Sequence, residues 1–383
     1  MSLHNSTKRC VCQAHIDKIE QEITEKFAPR RLQSELLANS YERLTLDKKA
    51  HRVRDCGTYL EWSLPPELSA GLHRGVPAAA PEQDKPRLSA ANFCRDRLCP
   101  MCNWRRCHKI FSQVSRIQSV LSASDYDFVF VTLTVPNVDG SELSEEIDKM
   151  QAAWNRFIGY SRIKKAFAGY FKSLEVTRNN DKKSNSYGTY HPHYHIIFVV
   201  RKSYFTGRDF IKRDELLALW KRAKRDERIT QVDIRRVTDK QKQKEIIIDG
   251  VKQKVDFTEL GSAVAEIAKY AVKSSDFLGK MDKHGRIVVP LPEWLTDEIV
   301  SVYSVALAGR RLCAFGGVFE QVRKDLNLDD PEDGDLIHED GEELNADMAV
   351  MVARYGWSCG AYKLIEIVPK NNKKNDVLIE CED

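Results

Sequence analysis

A dense cysteine cluster is the first feature of this 383-residue sequence whose residue types and spacing could do chemistry. Cys94, Cys99 and Cys102 fall within nine residues, and a proline lies inside the Cys-x-x-Cys pair. Two thiolates from one tight turn can span adjacent corners of a tetrahedron, and a third sulfur nearby adds another ligand. We therefore predict a structural zinc ion, with Cys56 as the fourth ligand.

Two alternatives remain for this cluster. Cys107 or His108 could supply the fourth ligand, because both lie closer in the sequence than Cys56 does. The cysteines could also be ordinary buried thiols without a metal.

A His-x-His pair on a predicted strand forms a second candidate site. Side chains two residues apart on a strand point to the same face, so His193 and His195 can bind one metal ion. If the preceding strand pairs in antiparallel fashion, Glu175 can add a carboxylate and leave positions open for water or a phosphate oxygen. The alternative is a pair of hydrogen-bonded histidines without a metal. His191 leaves the choice of pair open, since it also lies two residues from His193.

A predicted helix over 261–275 carries the third group of reactive side chains. Glu266, Tyr270 and Lys273 recur at spacings of four and three, which places them on one helix face. A tyrosine is a weak nucleophile at its ordinary pKa of ~10, and a lysine one turn away could activate it. The alternative is an amphipathic helix on which Glu and Lys form salt bridges.

The charge distribution favours a polyanionic partner. Eleven Asp and Glu residues and no Lys or Arg lie between 325 and 347, and without them the net charge of +4 would be +15. Lys and Arg release counterions from phosphates, so we predict that the basic remainder binds nucleic acid. A zinc turn would hold its flanking arginines rigidly toward phosphates. The predicted DNA contacts are Arg95, Arg97, Arg105 and Arg106. We expect the acidic block to be a solvated linker, with mimicry of DNA as the alternative.

Composition excludes several classes of protein. Apolar residues make up 42% and charged residues 30% of the chain, as in globular proteins. The sequence contains no run of 18 apolar residues, so no transmembrane helix is predicted. The first residues lack the apolar core of a secretory signal. We therefore expect a cytoplasmic protein with reduced thiols, not a secreted disulfide scaffold, a membrane protein or a low-complexity protein.

The elements that must position these residues follow from hydrophobic periodicity. Apolar residues three or four apart predict a helix from residue 14, which Pro29 should end. An almost unbroken apolar run predicts a buried strand over 126–135. Further strands are predicted over 170–178, 191–200 and 230–237, helices over 142–157 and 209–225, and a hairpin over 245–257. This order indicates an α+β fold around an antiparallel sheet.

Three motifs occur in a fixed order along the chain, namely VTLTVPN, HPHYHIIFV and EIAKYAVK. They resemble the motifs of HUH endonucleases, in the order of replication initiators and not of relaxases. Two further segments narrow the resemblance to one group of initiators: FCRDRLCPMCNWRR upstream and ALAGRRLCAFGGVFEQV downstream. The chain resembles the rolling-circle replication initiators (Rep proteins) of small Gram-positive bacterial plasmids, from about Cys56 to Leu326.

The resemblance implies a nicking mechanism. His193 and His195 would bind a divalent ion, Mg²⁺ or Mn²⁺, and Tyr270 would attack the origin DNA. The products would be a 5′-phosphotyrosine link and a 3′-OH primer. Glu266 stands where the family carries a glutamate in place of a second tyrosine, which implies hydrolysis at termination. Glu175 as the third metal ligand rests on the strand geometry and not on a family motif.

The resemblance also implies partners and an architecture. The partners are plasmid origin DNA, with an extruded single-stranded nick site, and a host helicase and DNA polymerase; a homodimer is left open. The central antiparallel sheet would carry the HUH motif, flanked by helices that include the tyrosine helix, with the zinc-binding module upstream. The predicted domains are an N-terminal helical segment (1–55), a zinc-binding and DNA-contacting module (56–122), the endonuclease domain (123–324), and an acidic linker with a small C-terminal segment (325–383). The alternatives are an HUH transposase of single-stranded elements and a non-catalytic zinc DNA-binding regulator.

Overall fold

A computed structural model describes residues 6–64, 86–238, 241–248, 251–268, 271–337 and 351–369 of the chain. Within these ranges, no helix is both long enough and apolar enough to cross a membrane.

A five-stranded antiparallel sheet forms the centre of the fold. Its strands are β3 (Tyr126–Thr134), β4 (Gly169–Arg178), β5 (Tyr190–Arg201), β6 (Val232–Val237) and β11 (Cys313–Gly317). Their order in the sheet is β11–β4–β5–β3–β6. β-branched and aromatic residues dominate β3 and β5, and such residues fit strands that are buried on both faces. The predicted α+β fold around an antiparallel sheet is confirmed.

Helices cover both faces of this sheet. On one face, α4 (Leu143–Gly159) and α6 (Arg213–Lys224) bury Trp154 and Trp220 against it. The helices that share an apolar cluster with the other face are α3 (Pro100–Ser122), α7 (Glu259–Ile267) and α10 (Val318–Asp325). Phe130 and Ile197 belong to this second cluster. On β5 the members of this cluster are Ile197 and Val199, which follow His193 and His195 along the same face of the strand.

A second, four-stranded sheet joins the two ends of the described chain. Its strands are β1 (Tyr59–Leu64), β2 (Arg87–Ala91), β12 (Met351–Ser358) and β13 (Ala361–Pro369), and their order is β13–β12–β1–β2. The helices α1 (Ser6–Arg43) and α2 (Asp47–Asp55) precede it. The strands of the C-terminal segment therefore belong to the same sheet as β1, which follows directly after Cys56.

Most of the remaining elements are short. They are α5 (Ser161–Ala166), a 3₁₀ turn (Lys202–Phe205), β7 (Gln241–Ile248), β8 (Val251–Thr258), α8 (Ser274–Leu278), β9 (Gly279–Met281), β10 (Ile287–Pro290) and α9 (Glu293–Ala306). β7 and β8 form the hairpin predicted over 245–257.

Pro29 does not end the first helix. Helix α1 runs through it from Ser6 to Arg43, although an interior proline costs a helix about 3 kcal/mol. The residues around it offset that cost by burial, because Phe27, Leu37 and Tyr41 are all 0% exposed. Tertiary packing on both sides of Pro29 thus overrides the local preference.

Two adjacent glycines allow β11 to lie close to β4. Gly317 has a φ of 59°, and a Cβ there would lie 2.2 Å from the carbonyl oxygen of Ala168. A Cβ on Gly316 would lie 2.3 Å from the ring of Tyr170. A side chain at either position would therefore push the edge strand away from the sheet.

Candidate metal centres

Glu175, His193 and His195 converge at one point on the central sheet. Glu175 on β4 lies directly opposite His193 on β5, and His195 follows two residues later on the same face. The Nε2 atoms of the two histidines are 3.1 Å apart. Glu175 Oε2 lies 3.0 Å from His195 Nε2 and 3.5 Å from His193 Nε2.

These three side chains fit a metal ion. Ligand atoms 2.0–2.1 Å from one ion, at angles between 90° and 109°, lie roughly 2.8–3.4 Å apart. Two of the separations within the group, 3.1 and 3.0 Å, fall in that range, and the third, 3.5 Å, lies just above it. All three residues are buried, and one ligand atom from each could hold a single ion. Two histidines and one carboxylate leave further coordination positions open.

The outer nitrogens of the histidines have partners that orient the rings. His193 Nδ1 lies 3.1 Å from the carbonyl oxygen of His191, so a proton on Nδ1 would satisfy that acceptor and leave Nε2 free to bind a metal ion. His195 Nδ1 lies 3.2 Å from the hydroxyl of Thr132. Such partners fix the orientation of metal-binding imidazoles. Thr132 was not singled out in the sequence, although strand pairing would place it opposite His195.

Lys273 contacts the metal-site carboxylate directly. Its Nζ lies 2.7 Å from Glu175 Oε1. Burial alone would raise the pKa of Glu175, but hydrogen bonds from His193, His195 and Lys273 outweigh burial and hold that pKa well below its usual range. The carboxylate is therefore ionised at neutral pH. Burial lowers the pKa of Lys273, yet its bond to Glu175 raises it overall, so the lysine stays charged.

The predicted helix over 261–275 is shorter than expected. Helix α7 ends at Ile267, and Lys273 has extended backbone angles (φ −81°, ψ 135°). Lys273 therefore does not share a continuous helix face with Glu266, which corrects the predicted stripe. Tyr270 lies outside the described residues. The next residue along the chain, Ala271, accepts a hydrogen bond of 2.7 Å from the backbone amide of Val176, beside Glu175.

His191 lies next to the metal group but outside it. Its ring stacks on His193 with 5.1 Å between the ring centroids. Burial and the neighbouring His193 lower the pKa of His191 to about 4, so the ring is neutral at neutral pH. The ligand atoms that converge belong to His193, His195 and Glu175.

Four cysteines form the second group that could hold a metal. They are Cys56, Cys94, Cys99 and Cys102. Cys56 Sγ lies 3.5 Å from both Cys99 Sγ and Cys102 Sγ, and Cys94 Sγ lies 3.7 Å from Cys102 Sγ. Sulfurs 2.3 Å from a tetrahedral ion lie roughly 3.8 Å apart, so the cluster fits one ion. Cys107 and His108, the alternative fourth ligands, are not in this group.

Arg105 and Arg106 face the interior of the protein. They are only 5% and 1% exposed. Arg105 Nε donates to the carbonyl of Leu336 at 2.8 Å, and Arg106 Nη2 donates to the carbonyl of Arg95 at 2.7 Å. Buried guanidinium groups with carbonyl partners do not reach a phosphate at the surface. This placement corrects the prediction that these two residues contact DNA.

Arg95 and Arg97 lie at the edge of the same region. Arg97 Nη1 lies 2.5 Å from Glu332 Oε2, and Arg95 Nη1 donates to the carbonyl of Asp333 at 3.0 Å. The side chain of Arg97 is 25% exposed and Arg95 is exposed. Their role as DNA contacts stays a prediction.

The acidic segment 329–337 packs against helix α3 and β11. Glu332 is 1% exposed and accepts hydrogen bonds from the backbone amides of Leu312 at 2.7 Å and Cys313 at 2.5 Å. Lys109 forms an ion pair with Asp329. This corrects the expectation of a solvated linker for 329–337, because a carboxylate with amide and guanidinium donors can be buried. The rest of the block, from residue 338, lies outside the described residues.

Replacing Glu332 with alanine is expected to lower the free energy of unfolding by about 3 kcal/mol, because it takes the carboxylate acceptor from the amides of Leu312 and Cys313 and removes the ion pair with Arg97. Urea unfolding followed by circular dichroism measures the loss. Asp333→Ala is the matched control, since Asp333 faces the same arginine at 3.8 Å but is 74% exposed. We expect it to cost less than ~1 kcal/mol. Equal losses for both variants would contradict a structural role for Glu332.

Comparison with known proteins places this geometry in context. A family model described as "Replication protein" (Rep_1) matches residues 85–363. The chain is 33% identical over 338 residues to "Protein rep" of Bacillus amyloliquefaciens, covering 84% of this chain and 89% of the relative. It is 35% identical over 294 residues to "Protein rep" of a Bacillus species, covering 76% of this chain and 84% of the relative. It is 30% identical over 337 residues to "Protein rep" of Streptococcus pneumoniae, covering 86% of this chain and 89% of the relative. No solved structure matches the chain significantly.

Proposed function

Because this chain belongs to the Rep_1 family of replication proteins, we propose that it initiates rolling-circle replication of a plasmid by nicking one strand at the double-strand origin. The observation that carries the proposal is the convergence of Glu175, His193 and His195 at one end of the central sheet, beside the chain segment that follows Tyr270. A phosphodiester repels nucleophiles, so its cleavage requires both a charged site and a nucleophile in reach.

The proposed catalytic metal site consists of His193, His195 and Glu175, and the proposed ion is Mg²⁺ or Mn²⁺. When bound, such an ion supplies positive charge next to a non-bridging phosphate oxygen and so lowers the barrier to attack. The protein prepares this site in two ways. Thr132 and the carbonyl of His191 orient the two rings. Lys273 keeps Glu175 ionised and therefore able to act as a ligand.

Tyr270 is the proposed nucleophile. Its hydroxyl oxygen forms a bond to the scissile phosphorus, and the bond from phosphorus to the 3′ oxygen breaks. The tyrosine proton is lost to solvent, and the leaving 3′ oxygen takes up a proton to become a 3′-OH. The energy of the phosphodiester is kept in the 5′-phosphotyrosine link, so the strand can be rejoined later.

Glu266 is proposed to act at termination. It is half-buried at the end of α7, one turn before Tyr270 in the sequence. A carboxylate there can accept a proton from a water that attacks the regenerated origin, so that the second cut is a hydrolysis. In the alternative, Glu266 contributes only electrostatically, since its charge acts on Lys273.

The cysteine cluster is proposed to bind a structural zinc ion. Cys99→Ser is expected to reduce the zinc content from about one per chain to near zero, and to lower solubility and duplex binding before it affects the chemistry. Elemental analysis of the purified variant measures the zinc. Cys359→Ser is the control, because Cys359 is exposed and lies outside the cluster. Soluble, active wild-type protein that contains no zinc would refute the assignment.

The proposed partners follow from this reaction. They are plasmid origin DNA with an extruded single-stranded nick site, and a host helicase and DNA polymerase that use the 3′-OH. The proposed location is therefore the cytoplasm. The reaction is compatible with a homodimer. The basic span 201–244, with fifteen Lys and Arg against seven Asp and Glu, is the proposed duplex-binding surface.

Incubation with a supercoiled plasmid that carries the cognate origin tests this function. With Mg²⁺ or Mn²⁺ we expect open circles with protein covalently attached to the 5′ end, detected as DNA that migrates normally only after protease treatment. A plasmid without the origin is the control and should stay closed. A non-catalytic DNA-binding regulator would leave both plasmids closed, and that result would refute the proposal.

A further inference from the structure

The edge strand β6 extends the sheet face that bears Glu175, His193 and His195, which we call the site face. On β3, Thr132 pairs with His195 in one direction and with Asp233 of β6 in the other. Paired residues on neighbouring strands point to the same side of a sheet. Asp233 and Arg235 therefore lie on the site face, at its exposed edge.

The contacts of Arg235 confirm this placement. Its guanidinium carbon lies 4.7 Å from the centre of the Phe130 ring. The Phe130 ring in turn lies 5.5 Å from the ring of His195. Phe130 is 2% exposed, whereas the side chain of Arg235 is 58% exposed. A buried ring thus supports an accessible cation that points to the same side as the metal group.

The neighbouring arginine has the opposite orientation. Arg236 pairs with Val129 and lies over the Phe205 ring at 4.1 Å. It forms an ion pair of 2.7 Å with Asp127, and its side chain is 51% exposed. The two arginines therefore have similar exposure and the same charge but lie on opposite faces of one strand.

Resting on the proposed function, we propose that Arg235 binds a backbone phosphate of the single strand that crosses the site face. β5 and β6 are separated by one strand, so roughly 10 Å of sheet lies between the backbones that carry His195 and Arg235. Arg235 is held over the Phe130 ring, to the side of His195, and this places it to take a neighbouring phosphate of the same strand and to act as a positioning residue.

Asp233 modulates this subsite. Its carboxylate lies 4.0 Å from Arg235 Nε, and its side chain is 58% exposed. The contact is long and open to solvent, so a phosphate can replace it at little cost. The carboxylate also repels a strand of DNA. Removing its charge should therefore strengthen binding, whereas removing the charge of Arg235 should weaken it.

Binding of a fluorescein-labelled oligothymidylate, measured by anisotropy, tests the proposal without knowledge of the origin sequence. Arg235→Gln is expected to weaken binding about 3–10-fold and to reduce the slope of log K against log salt by about 0.7, the contribution of one phosphate contact to a single strand. Arg236→Gln is the matched control, because Arg236 points away from the site face: it should leave single-strand binding and its salt slope unchanged, and any loss that it causes should be confined to duplex binding. Asp233→Asn should tighten binding. On an oligonucleotide that contains the nick site, Arg235→Gln should raise KM and leave the rate at saturation intact.

The outcomes separate this inference from the proposed function. A wild-type salt slope for Arg235→Gln, or equal losses for Arg235→Gln and Arg236→Gln, would overturn the role of Arg235 even if the protein nicks its plasmid. A lost contact at Arg235 in a protein that nicks no plasmid would support strand binding and refute the nicking function. Equal melting temperatures of the two variants exclude misfolding as the cause, and a restored slope in Arg235→Lys shows that the positive charge is what binds.

Discussion

Replacing Tyr270 with phenylalanine is expected to abolish both the nick and the covalent adduct on origin DNA, with a loss of rate on the order of 10⁶-fold. The change removes one oxygen atom, which is the nucleophile, and loss of a catalytic nucleophile has effects of this order. Transfer of a labelled oligonucleotide to the protein, followed by mass spectrometry of the modified peptide, measures the adduct and locates it.

The control for this variant is Tyr160→Phe, which loses the hydroxyl of a half-buried tyrosine after helix α4 and should nick normally. Adduct formation by Tyr270→Phe, or an adduct mapped to another residue, would refute the assignment.

Termination is tested by the length of the single-stranded products. Glu266→Ala should leave the first nick nearly intact but give DNA products longer than one unit, whereas Glu266→Tyr should restore unit-length products by transesterification. Unit-length circles at wild-type yield from Glu266→Ala would instead favour a purely electrostatic role for Glu266.

Replacing His195 with alanine is expected to lower the nicking rate at least ~1,000-fold while origin binding survives. His195 Nε2 lies 3.0 Å from Glu175 and 3.1 Å from His193 Nε2, so its loss removes one of three converging ligands. Charge stabilisation by a metal is worth several kcal/mol, and about 4 kcal/mol corresponds to this factor. Binding depends on many phosphate contacts and should change little. Plasmid nicking at varied Mn²⁺, together with a gel-shift assay, measures both.

Two further variants sharpen this prediction. Thr132→Val removes the partner of His195 Nδ1 and should raise the Mn²⁺ concentration required by about 10–100-fold, with the full rate recovered at saturation. His284→Ala changes an exposed histidine in the turn between β9 and β10 and should have no effect. Normal nicking by His195→Ala at low Mn²⁺ would show that the metal group has been assigned wrongly.

Local sequence determined the elements of the central sheet and the family. Alternating and continuous apolar runs predicted β3, β4, β5 and β6 at nearly their observed bounds, since strand periodicity depends only on neighbouring residues. The order of the motifs indicated a rolling-circle Rep protein, and the match over residues 85–363 confirms that family. The spacing of two on one strand also placed His193 and His195 on one face, as the structure has them.

Other features depended on contacts between residues far apart in the chain, which periodicity does not contain. Helix α1 passes through Pro29 because buried residues on both sides of it pack on other elements. The predicted helix over 261–275 stops at Ile267, and Lys273 instead reaches Glu175, almost a hundred residues earlier in the chain.

The acidic segment 329–337 shows most clearly the difference between what the sequence determines and what only the tertiary structure decides. A run of Asp and Glu in a sequence indicates a solvated chain, because isolated carboxylates are costly to bury. In the fold, Glu332 finds two backbone amides and Arg97, and Arg105 and Arg106 find carbonyls in place of phosphates. Sequence determined which groups are charged. Only the tertiary structure decided which of those charges face each other and which, like Arg235, remain open to a partner, because burial and pairing are properties of the whole fold.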